Sequence, residues 1–549
     1  MRCCLASFLV LTLLAAATPV RAQKIGTVTF PNSGAAAAQK SFLQGIALLH
    51  SYEYSDARDA FREARRIDPG FALAAWAEGM TFSHFDWGSE DLPGAQAALA
   101  RLAPTPEQRL AKAGTPRERA FGTAIEMFLA GDGSPIDRAR TFAAAMEAYA
   151  VADPSDVEAA AFAARGALYV LRYAPAAEQA QSAERAIALA ERVVAMRPEH
   201  PGGIHYLIHA TDSPRFAAKG LPAARLYDKI APDAEHALHM PSHIFLQLGM
   251  WEDVAASNER SWAASRTWLK RGNRSVAELS WHSLAWLQYA YLQQGRYGEA
   301  KGLIDTAHGL LDAVPASTLG NAIDVRYTID ALTFQYAAET GRWDRSLFSA
   351  DNLPALIRDA AAKPSIREQG MANGAAYHAA LASALSGVDP AVIRDAAVAM
   401  RGVVTGLKSQ DTRRTLLNAL ATQIEALAAT ASKDDARAIA ILARLESETR
   451  DSGLLPLGVP IAVPTSELLG GLLLKTGRFE EAAAVYQRAL TMRANRSAAL
   501  LGLARARMGA GDRRSAADAY RRLLENWKRA DPDLPALAEA RAAIVSAGK

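Results

Sequence analysis

The chain has 549 residues, half of them apolar, with 61 Lys+Arg against 58 Asp+Glu and only two cysteines. That apolar fraction excludes a disordered chain, and a formal charge of +3 excludes the basic footprint of a general nucleic-acid binder. Aromatic residues are few (7%) and alanine is abundant, which favours helix over strand.

In chain order, residues 1–22 read as a secretory leader. Arg2 supplies the positive start, LASFLVLTLLAAA (5–17) the apolar stretch, and Val20-Arg21-Ala22 a small-residue cleavage site before Gln23. Cys3 and Cys4 both lie inside it, so the mature chain has no cysteine for disulfides, thiolate chemistry or metal ligation. No later stretch is long and apolar enough to span a bilayer. The expectation is an exported protein, periplasmic or secreted, with no membrane span once processed.

Residues 38–71 place Gly45, Ala57, Phe61, Ala64 and Pro69 at positions 8, 20, 24, 27 and 32 of a 34-residue frame. Gly79 follows Gly45 by one period. Near the C-terminus Gly477, Ala482 and Tyr486 recur one period later as Gly511, Ala516 and Tyr520. A further unit at 281–314 shows Tyr291, Gly295, Tyr297, Ala300 and Ala307. These residues resemble the tetratricopeptide (TPR) repeat, a helix–turn–helix unit. Small residues let its two helices approach, a large one fills the gap, and proline ends the second helix. Segments 106–150, 157–197, 325–385 and 391–447 read as further amphipathic helix pairs with degenerate spacing, and no strand pattern stands out. The Pro- and Gly-rich run 449–465 reads as a linker. The expected organisation is a leader (1–22), a TPR-like solenoid (23–448) with a His-rich groove at 198–286, that linker, and a C-terminal TPR pair with a terminal helix (466–549). The fold class is all-α, a solenoid of stacked antiparallel hairpins.

Seven of the eleven histidines fall between His200 and His282, where fewer than two would be expected at the chain-average frequency. Five of the nine tryptophans (Trp251, Trp262, Trp268, Trp281, Trp286) lie in or just beyond that span; they read as helix packing, with one or two forming a pocket wall. Pro198 and Pro232 sit one period apart and fix the frame. His205 and His209 then occupy positions 5 and 9 of one unit, and His239 and His243 positions 5 and 9 of the next. His236 and His282 both fall at position 2, and His50 and His84 at position 13. These positions share one helix face, which in the TPR proteins this chain resembles lines the concave groove. Two HxxxH pairs on neighbouring helices could aim three or four imidazoles at one point. Neutral imidazole suits a divalent Zn, Cu, Fe or Ni ion. The other readings are an imidazole-lined groove for an anionic or aromatic ligand, and plain packing. Pro241, between His239 and His243, should kink the helix or start a new one.

Neither pair carries the Glu of the HExxH metalloprotease motif, and no P-loop, nucleophile elbow or dinucleotide fingerprint is found. Asp212 has two readings: a turn residue of Thr211-Asp212-Ser213-Pro214, the simpler one, or a carboxylate facing the same groove. Glu78, at a normally apolar position, is either buried and paired or turned to the groove.

The segments PEHPGGIHYLIHATDSP (198–214), APDAEHALHMPSHIFLQLGMW (231–251) and AAWAEGMTFSHFDW (74–87) are similar to a family of exported bacterial TPR proteins with the same paired motifs. The likeness covers most of residues 40–300 and implies a shared site without supplying a chemistry. The leading expectation is a groove that binds a metal ion, a small ligand or a peptide, with His205, His209, His239 and His243 as ligands. His236, His282, Asp212, Glu78, His84 and His50 are expected around them. The alternative is a metal-dependent enzyme, hydrolase or oxidoreductase, with His236 as ligand or general acid/base. The third is a protein-interaction scaffold with incidental histidines.

Overall fold

The computed structural model describes residues 23–547, except 85–88, 271–274, 314–322, 344–352, 364–365, 386, 388, 408–412, 451–458 and 461. The leader and much of the expected linker lie outside the described residues.

The 34-residue frame places its hairpins where they form. Gln39–His50 pairs with Tyr54–Ile67, Trp281–Gln293 with Tyr297–Asp312, Thr465–Lys475 with Phe479–Met492, and Ser497–Gly509 with Arg513–Asn526. Between the first two lie further pairs, Val157–Tyr173 with Ala176–Met196 and Pro201–Thr211 with Ala217–Ile230. Side-chain oxygens start several helices by accepting orphan N–H groups. Thr115 forms a capping box with Glu118, and Ser134 and Asp156 cap the next two helices. The protein is an all-α solenoid of TPR type. Among the described residues the one departure is a two-residue pairing of Ser83–His84 with Ser89–Glu90. No described helix is long and apolar enough to cross a membrane.

Packing follows the repeat logic. A methyl group added at Gly45 would sit 2.5 Å from the Phe61 ring, so the small residue at position 8 lets the large one at position 24 seat. Tyr486 wedges in the same way against Gly470 and Gly502. Position 15, the turn between the helices, is Gly249, Gly295, Gly477 and Gly511 in four units, each with φ between 67° and 81°. That left-handed conformation favours glycine. In the first unit the same position is Tyr52, at φ 58°.

The array also closes on itself, which the sequence did not foretell. Helix Gln39–His50 packs against Pro201–Thr211, far along the chain. An extended strap at the start of the described chain carries Ile25, Val28 and Phe30 into the core. It is fastened by Lys24, whose N–H donates to the Asp233 carboxylate (2.7 Å) and whose carbonyl accepts from the Asp233 N–H (3.1 Å). The C-terminal pair docks onto the units that follow the histidine-rich stretch. Trp251 Nε1 donates to the Asn495 carbonyl (2.9 Å), the Ser497 N–H to Gln293 (2.9 Å), and the Asp531 N–H to the Gly295 carbonyl (3.0 Å). At this seam Arg496 is buried between Glu467, Glu339 (2.7 Å) and the Tyr289 hydroxyl.

Three outcomes follow for stability. Gly45→Val should lower it by about 1–3 kcal/mol through overpacking, whereas Gly471→Ala, with open space around it, should be neutral or stabilising by up to about 1 kcal/mol. Arg496→Met should cost about 3–5 kcal/mol, because it strands buried carboxylates without their cation. Urea unfolding of the variants beside the parent measures all three.

Candidate metal centre

Three consecutive first helices carry the histidines. Helix Pro201–Thr211 begins with proline at its first position and His200 as its cap, whose Nδ1 accepts the Gly203 N–H (3.2 Å). It sets His205 and His209 one turn apart. In the next unit Pro241 ends Glu235–His239 and opens Pro241–Gln247. The Met240 backbone between them stays helical (φ −53°, ψ −37°), so His239 and His243 still meet across the break. Helix Trp281–Gln293 adds His282.

The six imidazoles sort into two cups rather than the single four-histidine site the spacing suggested. His205, His209 and His236 form one, and His239, His243 and His282 the other. Within each cup one potential ligand atom per residue lies within 4.8 Å of the others. Each cup thus takes positions 5 and 9 of one first helix and position 2 of the next. The second cup repeats the first, one unit on. They abut: ring centroids of His209 and His243 are 5.8 Å apart and those of His236 and His239 5.9 Å, while within the first cup His209 and His236 are 6.3 Å apart.

Hydrogen bonds at the far ring nitrogens assign the tautomers. His205 Nδ1 lies 2.6 Å from the His50 carbonyl, and a carbonyl can only accept. His243 Nδ1 lies 2.6 Å from the Asp212 carboxylate, which Gln247 also supports (2.9 Å). His239 Nδ1 lies 2.6 Å from Asn258 Oδ1, and the amide is oriented by Asn258 Nδ2 donating to the Val254 carbonyl (2.8 Å). In all three Nδ1 carries a proton, and in His205 and His239, which burial keeps neutral, Nε2 is a bare lone pair. The Nε2 atoms of His205 and His209 are buried without a hydrogen-bond partner. His239 Nε2 and His243 Nε2 point at each other from 3.0 Å. At that distance the lone pair of His239 faces either a proton on His243 or a metal ion shared by the two rings. Metal–imidazole bonds of about 2.0–2.1 Å at 90–110° span about 2.9–3.4 Å between nitrogens, which matches.

The electrostatics keep five of the six rings unprotonated. Burial, reinforced by neighbouring imidazoles, holds His205, His236, His239 and His282 well below the ordinary histidine range. His209 is lowered to about 3 by burial and by His243, against the opposing pull of Asp212. Burial works to raise Asp212, but the His243 imidazole and its hydrogen bond hold it below the usual carboxylate range. No proton therefore has to be displaced from those five rings before a metal binds near neutral pH.

The remaining expected residues fall outside the cups. His50 is engaged at both nitrogens, with the Tyr206 hydroxyl (2.7 Å) and Glu158 (2.9 Å), and His200 Nε2 donates to the other Glu158 oxygen (3.1 Å). His50, Glu158 and His200 could in principle hold an ion, yet every ring nitrogen there already has a protein partner. Burial would raise Glu158, but the two imidazoles hold it at about 2; burial lowers His50 to about 4. His50 serves the first cup through its backbone carbonyl. His84 stacks on Tyr54 (4.3 Å), which stacks on Tyr52 (5.5 Å), so two rings separate it from His205. Glu78 does not face the groove: it is fully buried among Arg62, Arg65 and Arg101, whose guanidiniums neutralise it. Asp212 does close the helix, as its turn reading required, and it also orients His243.

Several contributors were not foreseen. Tyr52 packs its ring 4.3 Å from His205 and within 5.7 Å of His236. A bulky residue at a left-handed glycine position is strained, and that break in the repeat is the signal that would have exposed it. Asn258 sits on the second helix of its unit, where the groove-face rule does not look. Trp286, by contrast, is one of the tryptophans expected to pack helices or wall the pocket; it roofs the second cup, 4.4 Å from His243 and 5.1 Å from His239. Glu53 accepts the His236 N–H (2.9 Å) and is pushed up to about 8, first by burial and then by Glu235 beside it.

No protein-family model matches the chain, and no curated protein does. Solved structures similar to it include Naa15/Naa10 bound to HypK-THB (12% identity, 93% of this chain and 74% of that one, TM-score 0.24). Human IFIT1 dimers are also similar. The one with PPP-AAAA has 10% identity, 88% of each chain and a TM-score of 0.36; the one with m7Gppp-AAAA has 14%, 83% and 89%, and 0.32.

The histidine shifts set a pH dependence for the metal-free protein. His50 (about 4) and His209 (about 3) are depressed from 6.5, so the unfolded chain takes up their protons at higher pH than the folded one. Their contribution is complete above about pH 6.5 and is lost as pH falls towards 4 and then 3, by up to about 1.4 kcal/mol per pH unit for each group. These histidines should make the urea midpoint drop below pH 6.5, against a gain from Glu53, which is raised to about 8 and takes up its proton as pH falls from there. His50→Gln should make that drop shallower.

Proposed function

We propose that the chain is an exported TPR-type protein that holds transition-metal ions on its concave histidine face, one in each three-imidazole cup. The observation that carries this reading is the convergence of the Nε2 atoms of His239 and His243, 3.0 Å apart with both Nδ1 sides occupied. The tandem build supports it. The same three repeat positions recur as a second cup, and packing alone gives no reason for that recurrence. An all-imidazole donor set selects Zn, Cu, Fe or Ni over Mg or Ca. Three protein ligands per ion leave a position open, the arrangement of sites that bind an exogenous ligand rather than purely structural ones. The paired HYLIHA and HALHMPSHIF motifs resemble those of exported bacterial TPR proteins, and a small ligand or peptide would reach the ions along the groove.

Metal analysis of the purified mature protein tests this. The parent should bind two equivalents of Zn or Cu. His236→Gln and His282→Gln should each retain one, the double variant none, and His84→Gln two. A parent without stoichiometric metal, or one whose metal survives the double substitution, would overturn the reading.

A further inference from the structure

The two cups stand too close together to act as separate binding sites. They border each other along two edges, His209–His243 and His236–His239, and the ring separations across those edges are shorter than the longest one inside a cup. A small ligand on the open position of one ion is therefore within reach of the other. The walls are aromatic, with Tyr52 over the first cup and Trp286 over the second, and His205 and His239 are almost completely buried. Such a space admits a small, uncharged, apolar molecule more readily than a phosphoester or a peptide.

Charge narrows the choice of metal. All six donors are neutral imidazoles, and the carboxylate bonded to a cup ring is Asp212, on the far side of His243. Two divalent ions would bring a charge of about +4 into a buried space, where uncompensated charge is costly. Two monovalent copper ions halve that, and imidazole is a ligand that copper accepts.

Resting on the metal-binding reading above, we propose that the two cups work as one dicopper unit that binds dioxygen between them. Each Cu(I) gives up one electron. Dioxygen takes both and becomes a peroxide dianion bridging two Cu(II) ions. Two metal–oxygen bonds form, the O–O bond is kept, and no proton is required. The total charge of the metal–ligand unit is the same before and after, so a buried site with few counter-charges can hold both states. Release of dioxygen returns both electrons to the metal.

The test loads metal-free mature protein with two equivalents of Cu(I) under nitrogen and then admits air in an oxygen-electrode cell. The expected result is one dioxygen consumed per two coppers, with no Cu(II) signal in electron paramagnetic resonance because the two spins couple. His236→Gln and His282→Gln, each with one cup left, should lose this uptake and show the signal of isolated Cu(II) after oxidation. Two bound coppers that oxidise to two isolated Cu(II) signals overturn the inference and leave the proposed function standing. So does a protein that binds two zinc ions and refuses Cu(I). A protein that binds no metal removes the underlying reading. Should either variant fail to fold by circular dichroism, the parent's oxygen stoichiometry and resonance signal decide alone.

Discussion

The structure around the site depends on where three protons sit. His205, His239 and His243 each commit the Nδ1 proton, to the His50 carbonyl, the Asn258 amide oxygen and the Asp212 carboxylate. None of these acceptors could be satisfied by a ring lacking the Nδ1 proton, so each ring is fixed in rotation with Nε2 turned to its cup. Burying six imidazoles together is expensive only when they are charged; kept neutral, they pack as aromatic rings against Tyr52, Tyr227 and Trp286. The polar interior of the groove is stable because its hydrogen-bond donors point outward, into the protein, and its lone pairs point inward.

The repeat turns that local arrangement into a tandem one. A first helix offers positions 5 and 9 on one face, a turn apart, but two ligands do not close a cup. The third comes from position 2 of the following first helix, so a complete cup exists only at a junction between units. Three consecutive first helices give two junctions, hence two cups, and the last helix needs to supply only His282. Pro241 fits this scheme: it interrupts the hydrogen-bond ladder between His239 and His243 without turning the chain, and Met240 keeps helical angles on either side.

The fold was legible because its signal is local. Gly45 against Phe61, Tyr486 between two glycines and the position-15 turns are contacts within one unit or between neighbours. The histidine face was legible for the same reason, down to the shared frame of His205 with His239 and of His236 with His282. Assignment of ligands to cups was not, since helical periodicity gives the face of a residue but not which neighbour it leans towards. His50 shows a further limit. Its position pointed to the groove, yet its side chain is tied to Glu158 and Tyr206, and its part in the site is played by a backbone carbonyl that any residue would carry. Asn258 and Tyr52 act from a second helix and a turn, outside the face that the frame singles out.

Closure of the array bears on how such a site can be held at all. Each unit of a solenoid contacts chiefly its neighbours, and small rotations accumulate along it. A cup assembled across a junction would loosen with every such rotation. Here the junctions are clamped on both flanks. The strap joins Lys24 to Asp233, two residues before the helix that carries His236 and His239. Beyond the site, Trp251 is tied to Asn495, and Tyr289, on the helix of His282, to the buried Arg496. These contacts link residues more than 200 apart in sequence and contribute nothing to the cups directly. Their effect is to convert an open, bendable stack into a braced one over the units where imidazoles from different helices must meet.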